Sequence, residues 1–323
     1  MTDRLTIVIL IIAILSGSTV GLVYPQTTAL LASQLDNMIL LLVFLIFFEV
    51  RVQDFFTSLH RVHFIIVALI VNFVVIPGIG FAISTAFLSS HPLIVFGLTI
   101  YFMAPCTDWF LGFTHLAKGN TALGAALLPA NLVIQLLLYP VYLNLFGIGE
   151  LEGDVSKIPD TLLQWFLIPL LSAFILRIVV ERLANKIQVS RFSSFLSCVI
   201  PILLAILVGQ IFASNISKLI TYADILPLVL CAILVFFLLT LSLSELLARL
   251  LRLNYGDHVL LTMTTSARNA PLMLAVTIAV LPHQSLMHAA IILGMIIELP
   301  YLVALNVVFQ RRLAKKRMMS VQF

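Results

Sequence analysis

Apolar runs long enough to cross a lipid bilayer follow one another along this chain, and the run over residues 103–131 is broken by Pro105, Cys106, Thr107 and Asp108. A proline there withholds a backbone N–H and crowds the carbonyl four residues before it, so a helix must bend or stop. Within lipid, interrupted backbone survives only where protein buries it or where it lines a wet cavity. An ionisable residue beside such a break is a functional-site candidate. A second stretch of the same design, Thr264-Thr265-Ser266-Ala267-Arg268-Asn269-Ala270-Pro271, occurs late in the chain. Interruptions in matching places of two halves point to a transporter's binding site.

The rest of the composition agrees. Of 323 residues, 62% are hydrophobic and 10% charged, against about 25% charged in a soluble domain. This excludes a large soluble core and predicts an all-α protein of the lipid bilayer. Cys106, Cys198 and Cys231 are scattered and odd in number, which argues for reduced thiols rather than a disulfide framework. Asp3 and Arg4 precede an apolar run long enough to span, so it is expected to be a first helix, not a cleaved signal. The chain has no HExxH, GxSxG or glycine-rich phosphate loop. It is therefore read as no enzyme, with no cofactor, no metal site and no nucleic-acid partner, and with a gradient as its driving force.

Ten spans are predicted, at 5–24, 38–50, 62–87, 92–117, 121–146, 159–180, 192–214, 225–247, 258–281 and 285–309. Residues 51–61 alternate charge with Phe55, Phe56 and Leu59, the pattern of an interfacial segment. With the N-terminus inside, fifteen of the eighteen lysines and arginines fall in inner segments, and Lys157 and Lys218 alone fall outside. That asymmetry predicts both termini on the cytoplasmic side of the cell membrane. An acidic loop with Glu150, Glu152, Asp154 and Asp160 divides the chain. The halves are 1–150 and 151–310, each of five helices, followed by a basic tail at 311–323. An odd count per half inverts the second relative to the first, so the fourth and ninth helices are the discontinuous ones.

Asp108, Arg268 and Glu298 lie deep in spans, each at a cost of about 2.5–3.5 kcal/mol at a helix centre. Asp108 and Arg268 are of opposite sign and lie at the two breaks. Either they lock the breaks as an ion pair, or they face a shared site toward which the following half-helices aim free N–H groups. Both readings can hold together. Pairing them leaves Glu298 unmatched and makes it the candidate for proton coupling, since desolvation disfavours a charged carboxylate. Cys106 stands where exposed N–H groups favour a thiolate. Asn131 and Asn269 are amides at the same depth, and Gln135, Thr264, Thr265 and Ser266 are further oxygen donors. Asn72 with Pro77-Gly78, and Gly17 with Gly21, are read as serving a kink and close helix packing. His283 and His288 are expected at the interface.

Cys106-Thr107, Leu116-Ala117-Lys118-Gly119-Asn120, Thr265 to Leu272 and Ile297-Glu298-Leu299-Pro300 resemble the bile acid:sodium symporter superfamily, within it the arsenite efflux permeases and arsenic-resistance proteins. The resemblance covers essentially the whole chain. It implies that Cys106-Thr107 and Glu298 are functional and that Cys106 contacts trivalent arsenic reversibly. The chain departs from those permeases at Pro105, where they carry arginine, and at Asp108, which their pattern lacks. Sodium-coupled bile-acid members carry sodium-ligating Glu and Gln residues in the ninth helix. Anchored on Asn269, those places hold Thr264 and Arg268, and arginine has no acceptor for a cation. Arg268 would stand there as a fixed positive charge.

The expected function is secondary active efflux of an arsenite-like solute in exchange for protons. Substrate contacts are assigned to Cys106, Thr107, Asp108, Asn131, Arg268 and Asn269, and coupling to Glu298. The alternative is sodium- or proton-coupled symport of a small organic anion held by Arg268. The partner is thus a metalloid oxyacid or organic anion, with a proton or sodium ion.

Overall fold

The computed structural model describes residues 3–24, 26, 34–49, 61–106, 109–147, 168–183, 186–221 and 223–321. Among them every regular element is helical, and β pairing is confined to an isolated bridge between Pro105 and Arg268. The α-helices are α1 (Asp3–Val23), α2 (Leu35–Glu49), α3 (Val62–Leu88), α4 (Pro92–Met103), α5 (Trp109–Leu116) and α6 (Thr121–Leu145). They continue as α7 (Ile168–Leu183), α8 (Lys186–Thr221), α9 (Leu226–Leu250), α10 (Tyr255–Ser266), α11 (Ala270–Val280) and α12 (Ser285–Val321).

Among the described residues, four helices have the length and apolarity to cross a membrane: α3, α6, α9 and the Ser285–Ala314 part of α12. The run expected at 92–117 is two helices, α4 and α5, and the run at 258–281 is α10 and α11. Pro271 is the second residue of α11, where its missing N–H breaks no helical bond. Residues 51–60 of the expected interfacial segment and the acidic stretch at 150–160 lie outside the described residues.

The chain forms two compact units, each drawing on sequence before and after residue 150. One comprises Met1–Val50, Pro140–Leu226 and Pro271–Ile296. In it Gly17 and Gly21 seat α1 against α8: an added Cβ would lie 2.2 Å from the Gly209 carbonyl oxygen and 2.2 Å from that of Ala213. The reading of this glycine pair as a close-packing face holds. A backbone oxygen cannot rotate away, so Gly21→Leu must push α1 off α8. Such overpacking costs about 1–3 kcal/mol or more, and the full-length protein in detergent should melt several degrees lower. An unchanged melting temperature would show that this contact does not hold α1.

In the same unit Arg177 of α7 donates to the Phe48 carbonyl in the last turn of α2, and to Glu181 at 2.8 Å. A cation on an orphaned helix-end carbonyl is the favourable polarity. His288 is 4% exposed, with a ring nitrogen 3.0 Å from the Leu281 carbonyl. It ties the turn between α11 and α12.

The other unit comprises Arg51–Tyr139, Pro227–Ala270 and Ile297–Phe323. Its α3 carries a π turn at Val71–Val75, where Ile76 N–H reaches back five residues to the Val71 carbonyl. The wider turn precedes Pro77, which cannot supply the regular bond. Gly80 lets α3 approach α4, since a Cβ there would sit 2.5 Å from the Phe102 Cβ. Phe102 stacks on Phe236 of α9 at 3.8 Å, and Phe237 stacks on Tyr301 of α12 at 4.3 Å. At the start of α10, the Asn254 side chain caps the helix by accepting from Asp257 N–H at 2.9 Å. Buried Asp257 accepts in turn from Asn254, Asn120 and Arg61 at 2.7, 2.8 and 3.1 Å. This network fixes where α10 begins, and therefore where its other end falls.

Candidate functional site: two helix breaks joined by their backbones

Ala104, which ends α4, is extended at φ −105°, ψ 110°, as the residue before a proline must be. Ala267, which ends α10, is extended at φ −75°, ψ 136°. The two extended segments lie antiparallel and pair. Cys106 N–H donates to the Ala267 carbonyl at 3.0 Å, and Asn269 N–H donates to the Ala104 carbonyl at 2.9 Å. Backbone groups released by one break thus satisfy those released by the other, as burial demands.

Arg268 sits in this bridge and is fully buried. Its guanidinium donates to the Phe102 carbonyl at 2.9 Å, to Thr264 at 3.0 Å and to Thr265 at 2.6 Å. These are carbonyls from the last turns of α4 and α10, which have no onward helical partner. Two negative helix ends therefore share one cation, whose carbon lies 6.0 Å from the Phe236 ring. These bonds offset part of the burial cost of the charge, and Nε has no partner among the described residues.

Glu298 of α12 lies against the same segment. One carboxylate oxygen accepts the Arg268 backbone N–H at 2.9 Å, and the other accepts the Tyr101 hydroxyl at 2.8 Å. The expectation that Glu298 is left unmatched is corrected: a backbone N–H exposed by the break, and a buried tyrosine, hold it. Of the expected partners at the first break, Thr107 and Asp108 lie outside the described residues. Cys106 is 1% exposed. Asn269 is 3% exposed and is placed by its backbone bond to Ala104.

Beside the bridge is a cluster of amides. Asn72, in the π turn of α3, and Asn131 of α6 both donate to the Thr264 hydroxyl, at 3.1 and 3.5 Å. Their carbonyl oxygens have no partner among the described residues, nor has either polar atom of Gln135. Asn72, Asn131 and Gln135 are all at least 98% buried. Buried polar atoms are almost always bonded, so this cluster suits a ligand or water that brings hydroxyl donors. Asn131 was expected here, whereas Asn72 was read only as part of a kink. The signal for it was an amide inside an apolar helix one turn before a proline. Among the described residues, no group of three or more His, Cys, Asp or Glu side chains is placed to hold a metal ion.

Asn72→Leu keeps similar volume and removes one half-satisfied amide. Replacing an unsatisfied polar group by an apolar one is close to neutral for stability. The melting temperature should therefore hold while the transport KM rises by about tenfold, equivalent to ~1.4 kcal/mol. An unchanged KM would remove Asn72 from the site.

Residues 37–160 match the family described as the Sodium Bile acid symporter family. The arsenical-resistance protein Acr3 of Corynebacterium glutamicum is 27% identical over 263 residues, spanning 75% of this chain and 69% of that protein.

Proposed function

We propose, from the premise that this chain belongs to the bile acid:sodium symporter superfamily on its arsenical-resistance branch, that it exports a trivalent metalloid oxyacid in exchange for protons. It is a multi-pass membrane transporter and not an enzyme. The finer architecture belongs to the same proposal. Ten spans form two inverted five-helix halves, 1–150 and 151–310, with the tail at 311–323 and both termini on the cytoplasmic face of the cell membrane.

The observation that carries this reading is the backbone pairing of Cys106 with Ala267, one residue from Arg268, whose own N–H binds Glu298. It couples a soft sulfur ligand, suited to a thiophilic metalloid, to a buried carboxylate suited to a proton. Asn131 and Asn269 supply hydrogen bonds to the hydroxyls of a neutral oxyacid, and Thr107 and Asp108 complete the contacts in this reading. Arg268 acts through its charge and the bridge that it occupies. The alternative cargo, an organic anion gripped by Arg268, is less favoured because its guanidinium already binds three main-chain carbonyls.

The test is arsenite accumulation in a host lacking its own efflux system, and arsenite uptake into everted vesicles under an imposed pH gradient. Cells carrying the protein should accumulate less arsenite, and vesicles should take it up only with the gradient present. Equal accumulation with and without the protein would end the arsenite reading.

A further inference from the structure

We propose that the end of the second unit where α5 and α9 stop is a docking surface for an anionic phospholipid, whose phosphate lies over Lys118, Arg249, Arg252 and Arg311. The inference rests on the chain spanning a membrane, not on arsenite as its cargo.

Two helices stop there in the same unusual way. The Gly119 N–H donates to the Thr114 carbonyl at 2.7 Å and the Lys118 N–H to that of His115 at 3.0 Å, closing α5. The Leu253 N–H donates to the Ala248 carbonyl at 2.9 Å and the Arg252 N–H to that of Arg249 at 3.2 Å, closing α9. This pair of bonds places one residue in the left-handed region, and glycine is its usual occupant. Here it is Lys118, at φ 59°, and Arg252, at φ 50°, the two non-glycine residues of positive φ among those described. A Cβ is strained in that conformation. A cation does favour a helix C-terminus, but Arg249 already stands in the last turn of α9. Cations thus occupy two places where glycine would fold more easily, which points to a ligand for their charge.

Tertiary contacts gather these charges. The Tyr255 hydroxyl lies 2.9 Å from the Ala117 carbonyl and 3.0 Å from the Phe309 carbonyl. The Gln310 amide donates to the Leu116 carbonyl at 3.2 Å. Lys118 follows Ala117, Arg311 follows Gln310, and Arg252 lies three residues before Tyr255, so their backbones meet around one hydroxyl. The carboxylates described at this end, Glu245 and Asp257, are taken by Arg312 and Arg61. Lys118, Arg249, Arg252 and Arg311 are exposed and form no ion pair among the described residues. Like charges held together repel, and a bound anion relieves that repulsion. Beside them Leu116, Leu250 and Val308 are 42%, 68% and 42% exposed. A phospholipid matches both features, its phosphate the cations and its acyl chain the apolar flank, whereas a dissolved anion matches only the first. Basic clusters next to a membrane span attract anionic headgroups.

The test melts the full-length protein in a neutral detergent with phosphatidylglycerol, phosphatidylcholine or inorganic phosphate added over the same concentration range. Phosphatidylglycerol should raise the melting temperature by about 3–6 °C, as a ligand of the folded state does. That gain should shrink in about 1 M NaCl, where screening acts within ~3 Å. The deciding variant is the double substitution Lys118→Gly with Arg252→Gly, which removes two cations and the backbone strain together. It should melt no lower than wild type in detergent alone, yet lose most of the phosphatidylglycerol gain. Arg249→Gln with Arg311→Gln, at ordinary helical positions, should lose it as well. Equal gains for wild type and both variants would overturn the proposal. So would an equal rise with phosphatidylcholine, which carries no net charge, or with inorganic phosphate, which carries no acyl chain. A glycine variant that melts several degrees lower in plain detergent would show that the two side chains hold the fold, and would overturn the argument from strain. Because melting needs no cargo, a lipid response in a protein that ignores arsenite would sustain this surface while ending the arsenite reading.

Discussion

Cys106→Ala should abolish arsenite export and leave the protein folded. The bridge between the two breaks uses the Cys106 backbone N–H, which alanine retains, so the local backbone loses nothing. The substitution removes one buried sulfur, a change in the ordinary range of about 1 kcal/mol for a single replacement. What disappears is the one thiol at the breaks among the described residues, for Cys198 and Cys231 are both exposed. An oxygen does not replace a thiolate for a thiophilic metalloid, so Cys106→Ser should fail as well. The host cells should accumulate arsenite to the level of cells lacking the protein, with unchanged protein abundance and a melting temperature lower by about 2–4 °C at most. Export by Cys106→Ala at the wild-type rate would show that the thiol never touches the cargo.

The second large effect is expected from Glu298→Gln. Glutamine keeps the shape, and its amide oxygen can still accept the Arg268 N–H that Glu298 binds at 2.9 Å. Its amide nitrogen can donate to Tyr101, whose hydroxyl oxygen has acceptor capacity. The fold is thus preserved and only the exchangeable proton is lost. Net transport driven by a pH gradient should fall to background in everted vesicles. Exchange of labelled arsenite across the membrane at equal pH should persist, because it needs no proton. If gradient-driven transport survives with its pH dependence intact, protons are carried elsewhere.

Tyr101 shows why the surroundings of Glu298, the proposed coupling residue, were only partly legible. Glu298 stands out in sequence as a carboxylate within an apolar run, and that much is a matter of local composition. Its partners are a hydroxyl 197 positions away and an N–H that exists as a free donor only because α10 stops at Ser266. Composition cannot announce a backbone donor. Asn72 is a similar case, since its meaning comes from sharing the Thr264 hydroxyl with Asn131. The expected counterpart of Arg268, Asp108, lies outside the described residues. The bonds described for Arg268 go to carbonyls at two helix ends, which opposite signs in the sequence do not announce.

By sequence alone this protein was bound to a bilayer and to two interrupted helices, because the hydrocarbon cost of charge and the missing proline N–H act within a few residues. Which broken end met which, and what then filled the space between them, was decided by tertiary structure. Orphaned N–H and carbonyl groups have no preferred partner along the chain. They find one only when the extended segments that follow α4 and α10 are buried side by side, leaving Ala104, Cys106, Ala267 and Asn269 to satisfy one another.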